Sequence, residues 1–347
     1  MFNPMRNRIP CGVWALAAGL LASAAVAADK PYTEEGRKQG WLWFRPAKAD
    51  PAAQLEHARR LRDQRRPRRA NWQYRALAES WPAAPEAPQA VLERAQLLDR
   101  RGARLDAFEI YQELAKRYAG AYPYEAVLQR QYEIALELMT TRRARWFFGG
   151  FEAPERAIPL LEHLVEFAPR WKEAPAAQFL IGKAHEIGGD YEAAVVAYTE
   201  TLFRYPESPV AREAAYRRAF VLYKMTEGAP NDERLAEESW AALTLFLRSY
   251  PDDENAALCR VYADRVRSRR ARIAYGKARY YDRIARRPAA ARLAYQRYLE
   301  QFPDELDAVE ARRRMDALGA AADAPGTNET DQAELPEKNN ENNPRDD

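Results

Sequence analysis

The chain has 347 residues, 30% of them charged and 47% hydrophobic, and only 15 glycines, a composition that favours helices over many-stranded sheets. Its formal charge of +3 is nearly balanced, and the arginine runs at 65–69, 142–145 and 265–272 have acids close by, which points to solvated helix faces rather than a nucleic-acid surface. Of the two cysteines, Cys11 precedes an apolar run and would leave with it, so Cys259 stands alone and no internal disulfide is expected.

The N-terminus reads as an export signal. Arg6 and Arg8 are followed by an apolar run from Val13 to Leu21 and then by small residues from Ala22 to Ala28, the order of a signal peptide over residues 1–28. The apolar run is short for a spanning helix. No cysteine follows it behind small residues, so acylation is not expected. Residues 29–50 form an N-terminal extension containing Trp41-Leu42-Trp43-Phe44.

From residue 51 to 319 a repeat governs the pattern. Steps that end in proline recur at Trp81-Pro82, Ala168-Pro169, Tyr205-Pro206, Tyr250-Pro251 and Phe302-Pro303. Twelve residues before each proline stand Ala70, Ala157, Ala194, Ser239 and Ala291; eight before it stand Tyr74, Leu161, Tyr198, Leu243 and Tyr295. A sixth unit fits with Ala107 and Tyr111, and carries Ala119 in place of proline. The small residue lets the second helix of a pair approach the first, the large one fills the seam a turn later, and proline ends the helix. This is the tetratricopeptide pattern of helix, turn and helix at about 34 residues.

In chain order the spacing predicts repeats over 51–82, 85–119, 123–169, 173–206, 208–251 and 254–303, then a closing helix over 304–319. Repeat three contains a long connection with the aromatic cluster Trp146, Phe147 and Phe148. Repeat six opens with a proline-free run from Glu254 to Arg286, about 48 Å if one continuous helix. Residues 320–347 carry eight acids against Lys338 and Arg345, a charge of −6 that leaves the body at +7 once Arg6 and Arg8 depart with the signal, and are too poor in apolar residues to order themselves. The fold class is therefore all-α, an α-solenoid of about six helical hairpins whose stacked seams give a superhelix with a concave, ligand-binding face. Arg59 and Arg62, Gln96 and Asp99, and Lys183 and Glu186 are the first-helix residues expected to line that face. The aromatic clusters read either as caps on the superhelix or as contacts with a partner or a membrane surface.

Three segments carry a family resemblance: AFEIYQELAKRYAGAYPYEAVLQRQYEIALEL, IGKAHEIGGDYEAAVVAYTETLFRYPESPVAREAAYRRA and AYGKARYYDRIARRPAAARLAYQRYLEQFPDE. Together with Ala278, Tyr280, Tyr281, Ala290, Ala291 and the Phe302-Pro303 step, they make residues 51–318 resemble the BamD-type outer-membrane assembly proteins. The resemblance implies a periplasmic scaffold that helps fold β-barrel proteins into the outer membrane. It also implies partners: a barrel-shaped assembly protein contacted through the C-terminal repeats, at Tyr280, Arg283 and Arg297, and unfolded substrate near the N-terminal ones. Two departures stand out. There is no acylation cysteine where the family's lipoproteins carry one, and Ala294 stands where a basic residue is expected, with Arg292 and Arg297 nearby. A general periplasmic adaptor, for example in cell-wall coordination, is the alternative.

Enzymatic chemistry finds no foothold in the sequence. His57, His163 and His185 are scattered over three repeats without partners at metal-ligand spacing, and no glycine-rich phosphate loop or nucleophile elbow occurs. Glu238-Ser239 matches two letters of a lytic transglycosylase motif, but Ser239 already holds a repeat seam position. No cofactor, metal or nucleic-acid partner is expected.

Overall fold

A computed structural model describes residues 45–140, 142–145, 148–152 and 154–322. The signal region, the Trp41–Phe44 cluster, Trp146, Phe147 and the acidic tail beyond 322 lie outside the described residues. The chain divides into two compact units, Met1–Tyr124 and Glu125–Asp347.

The first unit holds two helical hairpins: α1 (Pro51–Asp63) with α2 (Pro67–Ser80), and α3 (Ala87–Arg100) with α4 (Arg104–Arg117). Local chemistry sets where they begin. The Asp50 carboxylate accepts from Ala53 N at 2.8 Å at the start of α1. Proline opens both α1 and α2, where its missing N–H costs nothing. Leu55, Ala58, Leu61, Ala70, Tyr74 and Leu77 bury their side chains against Ala87, Ala90 and Leu97 of α3. Gln54 is fully buried. Its amide donates to the Gln73 carbonyl at 3.1 Å and its Oε1 accepts from Lys48 N at 2.9 Å, which pins the lead-in segment to the first hairpin.

The second unit contains α5 (Tyr124–Thr140, beginning at the boundary residue), α6 (Ile158–Phe167), α7 (Ala174–Gly188), α8 (Tyr191–Arg204), α9 (Ala211–Gly228), α10 (Glu233–Ser249), α11 (Ala256–Arg279), α12 (Pro288–Gln301) and α13 (Ala308–Ala322). From α6 onward each helix packs on the next. Trp171, in the turn between α6 and α7, meets Tyr132 of α5 edge to face at 5.7 Å and donates its indole N–H to Glu125 at 2.9 Å.

Two features add to the helical plan. The long connection in repeat three carries a two-stranded antiparallel ribbon, β1 (Arg142–Arg145) and β2 (Phe148–Glu152), which pairs Arg142 with Glu152 and Arg145 with Phe148. A 3-10 turn over Pro154–Ala157 then leads into α6. The second feature lies at the end of the proline-free run in repeat six. It is not one regular helix: α11 gives way to a π turn over Tyr280–Ile284, and Arg286 reverses the chain in the left-handed region at φ 51°. Arg65 does the same at φ 57° between α1 and α2, whereas Gly102 and Gly189 serve repeats two and four.

The periodic positions behave as a set. The six small residues Ala70, Ala107, Ala157, Ala194, Ser239 and Ala291 are all 0% exposed, and the six large ones a turn later are at most 3% exposed. Ser239 shows the cost of this packing: its hydroxyl meets no hydrogen-bond partner among the described residues. Trp81, Tyr205, Tyr250 and Phe302 each follow the last helical residue, their N–H groups bonding back four residues at 2.8–3.0 Å. Tyr118, followed by Ala119 rather than proline, closes its helix in the same way, so packing of the terminal aromatic contributes alongside proline.

Gly182 of α7 shows how tightly the seam is closed. A methyl placed there would lie 2.6 Å from the Tyr198 ring, whereas one at Gly276 of α11 meets nothing. Alanine is favoured over glycine in a helix by about 1 kcal/mol, but overpacking costs about 1–3 kcal/mol. Gly182→Ala is therefore expected to lower stability and Gly276→Ala to raise it by up to about 1 kcal/mol. Urea unfolding of both variants reads the two signs.

Candidate functional site

The sequence places six of its candidate binding residues on the first helices of repeats one, two and four. The structure shows that several of them are held in one recurring arrangement. A buried tyrosine of a second helix donates its hydroxyl to a carboxylate on a first helix, and that carboxylate is gripped by an arginine on the neighbouring first helix.

In the first unit Tyr74 Oη donates to Glu93 Oε2 at 2.9 Å. Arg59 reaches the same carboxylate at 2.6 Å through Nη2 and 3.0 Å through Nε, and Arg62 reaches it at 3.2 Å. In the second unit Tyr198 Oη donates to Glu186 Oε2 at 2.6 Å, and Arg217 of α9 lies 3.3 Å from the other oxygen. In the last repeat Tyr295 Oη donates to Asp282 Oδ2 at 3.1 Å, and Arg314 of α13 clasps both carboxylate oxygens, at 2.9 and 2.7 Å.

The polarity differs between the first unit and the second. In repeat one the arginine shares a hairpin with the tyrosine and the acid comes from the next hairpin. In repeats four and six the acid shares the hairpin and the arginine comes from the next first helix. Four residues before the polar group on the same helix stands a small residue, Ala58 before Arg62, Gly182 before Glu186 and Ala278 before Asp282. All three are buried in the seam. Repeat five has Leu243 where repeats one, four and six have tyrosine, and its link is neutral: Arg265 donates to Tyr223 Oη at 3.1 Å and Arg269 to Thr226 Oγ1 at 2.5 Å.

Electrostatics follow from this geometry. Burial pushes Glu93 up, but the hydrogen bonds and charges of Arg59, Tyr74 and Arg62 outweigh it, so the carboxyl sits below its ordinary value. The Arg314 hydrogen bonds dominate at Asp282, which is likewise held low. Burial, reinforced by the Asp282 hydrogen bond, pushes Tyr295 up to about 12.

Of the residues singled out from sequence, Arg59, Arg62 and Glu186 therefore belong to links between hairpins. Asp99 pairs with Arg104 at 2.8 Å across its own turn, Gln96 is half-buried on α3, and Lys183 is exposed on α7. Phe148 lies in β2, while Trp146 and Phe147 are outside the described residues. Tyr280, 52% exposed, and Arg283, also exposed, project from the π turn. Arg297 instead lines a groove of about 200 Å³ with Lys277, Tyr281, Leu293 and Tyr298 between α11 and α12. The structure does not bring Tyr280 and Arg283 into that groove.

Sequence reading missed Glu93, Arg217, Asp282 and Arg314. A signal exists for them: opposite charges 34, 31 and 32 residues apart, one repeat, each beside a seam tyrosine. A second, more open groove of about 450 Å³ runs between α6 and α8 and is lined by Glu162, Glu166, Glu200, His185 and Val196. Among the described residues no group of three or more His, Cys, Asp or Glu side chains could hold a metal ion. Burial raises the Cys259 thiol to about 11, leaving it protonated at neutral pH. No described helix is long and apolar enough to cross a membrane.

Comparison with known proteins gives a family match and distant structural likenesses. The family model described as YfiO, outer membrane lipoprotein, matches residues 152–332, just over half the chain. It begins at the end of β2 and takes in every later helix, leaving the first unit outside the match. No curated protein matches the chain. Among solved structures, the C-terminal part of a TPR repeat-containing protein from Cytophaga hutchinsonii is 14% identical, with 76% of this chain and 88% of that one covered and a TM-score of 0.29. The pilF protein of Pseudomonas aeruginosa is 15% identical over 76% of this chain and 96% of that one, with a TM-score of 0.25. MamA from Desulfovibrio magneticus is 15% identical over 59% and 99%, with a TM-score of 0.26.

The depressed carboxyls set a pH dependence. A carboxyl whose pKa is lower folded than unfolded contributes stability that is complete above its unfolded value and is lost as pH falls through its folded value. Glu93 and Asp282 are thus expected to hold stability constant from neutral pH to about 5 and to release it below about 4. Arg314→Gln should raise the Asp282 pKa and move the onset of acid unfolding of the second unit to higher pH. Urea unfolding across the pH range checks this.

Proposed function

Because the chain belongs to the YfiO family of outer membrane lipoproteins, we propose that it is an exported scaffold of the cell envelope that acts, like the BamD-type proteins it resembles, in assembling β-barrel proteins into the outer membrane. The observation that carries this reading is the extent of the family match, which runs without a break from the ribbon through α13. The architecture supports a binding rather than a catalytic role, since stacked hairpins present long helical faces to partners. The chain works in the periplasm beside the outer membrane and binds the barrel assembly protein and its substrates.

The last repeat carries the partner contact. On the first-helix faces Arg59, Arg62 and Glu186 are already spent on links between hairpins, whereas Tyr280, Arg283 and Arg297 are exposed. Tyrosine and arginine are also the side chains that dominate interface energies once desolvated.

Affinity capture from native envelopes tests the reading. The tagged chain is expected to retain the barrel assembly protein. Arg283→Ala with Arg297→Ala should weaken that complex by about 2 kcal/mol or more, roughly thirtyfold, while circular dichroism stays unchanged. Ala291→Leu, which overpacks a fully buried seam position, should instead cost about 1–3 kcal/mol of stability. Capture of cell-wall enzymes without the barrel assembly protein would favour the adaptor reading, and undiminished capture by the double variant would remove the C-terminal surface.

A further inference from the structure

The turn between α11 and α12 concentrates positive charge that the fold does not use. Arg283, Arg286, Arg287 and Arg292 are all exposed, and none of them forms an ion pair among the described residues. Half-buried arginines such as Arg130, Arg217 and Arg270 instead meet glutamates within 2.6–3.3 Å, while the exposed Arg65, Arg66, Arg68 and Arg69 of the first unit form a second group without an ion pair among the described residues. The turn itself is firmly shaped: Ala285 N and Arg287 N donate to the carbonyls of Tyr280 and Tyr281, each at 2.9 Å.

The last helix delivers the C-terminal segment to this place. α13 packs on α12, and Arg314 joins it to Asp282 inside the π turn. Further along, a methyl placed at Gly319 would lie 3.7 Å from the guanidinium carbon of Arg292. The end of α13 at Ala322 is thus beside Arg292, about 12 Å of helix beyond Arg314. There the acidic segment begins, with Asp323, Glu329, Asp331, Glu334, Glu337 and Glu341 as its first six acids. An extended chain covers about 3.3–3.6 Å per residue, so Glu329 and Asp331 reach roughly 25–30 Å from Ala322, more than enough to cover the turn.

We infer that the arginine-rich turn is an anion-binding surface whose resident occupant is this chain's own acidic segment, residues 323–347. Charge complementarity and the point at which the segment leaves α13 select it over other occupants. Tethering gives the segment an effective concentration in the millimolar range, so an acidic stretch of a partner must outcompete it to reach the same arginines. The contact is electrostatic and screened by salt, since the segment has few apolar side chains to bury. It therefore adds little to folding stability and acts as a displaceable cover. The inference stands independently of the assembly-scaffold reading.

Paramagnetic broadening in the full chain tests it. A nitroxide is attached at Asn339→Cys in a background of Cys11→Ser; Cys259 is fully buried and does not compete for the label. At about 50 mM salt the amides of residues 283–292 should broaden, and at about 500 mM salt the broadening should vanish. It should also vanish in Arg286→Gln/Arg287→Gln, and in a variant with Glu329, Asp331, Glu334, Glu337 and Glu341 made neutral, which changes none of the described residues. Absence of broadening at low salt, or broadening that survives either charge removal, overturns the inference. Vesicles of phosphatidylglycerol provide the other arm. If they bind the native chain through these arginines as tightly as they bind the neutral-tail variant, the turn is a membrane contact with no cis occupant, and the inference is wrong.

Discussion

A tyrosine hydroxyl buried at a helix seam is costly without an acceptor, and at three seams of this fold that cost is met by a link between hairpins, whereas the buried Tyr298 hydroxyl meets no partner among the described residues. The rings of Tyr74, Tyr198 and Tyr295 are completely enclosed, so each hydroxyl would be costly if left without a partner. A carboxylate meets the need but brings a charge that is itself expensive to bury alone. An arginine from the adjacent hairpin answers that charge. One packing residue thereby calls up an acid and a base on two successive first helices, and the register between hairpins is fixed by the same groups that satisfy the seam. Repeat five tests the logic from the other side. With Leu243 in the seam no hydroxyl needs an acceptor, and Arg265 and Arg269 of α11 meet neutral oxygens of α9 instead.

These links also narrow where binding can occur. A first-helix residue that bridges two hairpins is not free to recognise a partner without breaking the bridge, so Arg59, Arg62 and Glu186 contribute shape and rigidity to the face rather than spare charge. Exposed polar groups lie elsewhere, among them those at and just after the π turn of repeat six. That turn is placed by Asp282, which faces inward to Tyr295 and Arg314 while its neighbours Tyr280 and Arg283 face out. The structural link and the proposed partner contact thus fall to adjacent residues of one short segment.

Much of this was readable from the amino acids alone, and the reasons differ by residue. Ala70, Ala107, Ala157, Ala194, Ser239 and Ala291 announce themselves because close helix approach tolerates only small side chains, and their spacing from a terminal proline repeats. The ribbon after Thr140 did not announce itself, because arginines, aromatics and two glycines follow neither a helical nor a clean alternating pattern. The π turn was hidden in a proline-free run that continues a helical composition to Arg286. The carboxylate links were half visible: Arg59, Arg62 and Glu186 were found as first-helix polar residues, but their partners lie a whole repeat away, where sequence neighbourhood gives no hint.

The central claim, that a carboxylate shared between hairpins couples their stability, is most directly tested by a double-mutant cycle at Arg59 and Glu93, whose side chains are 26% and 12% exposed. Urea unfolding of Arg59→Gln, Glu93→Gln and the double variant gives the coupling energy of the first unit. A shared, partly buried carboxylate predicts about 1–2 kcal/mol, above the range of exposed surface pairs. A coupling indistinguishable from zero would mean that the apolar seam alone sets the register and that the arginine and the acid are only neighbours.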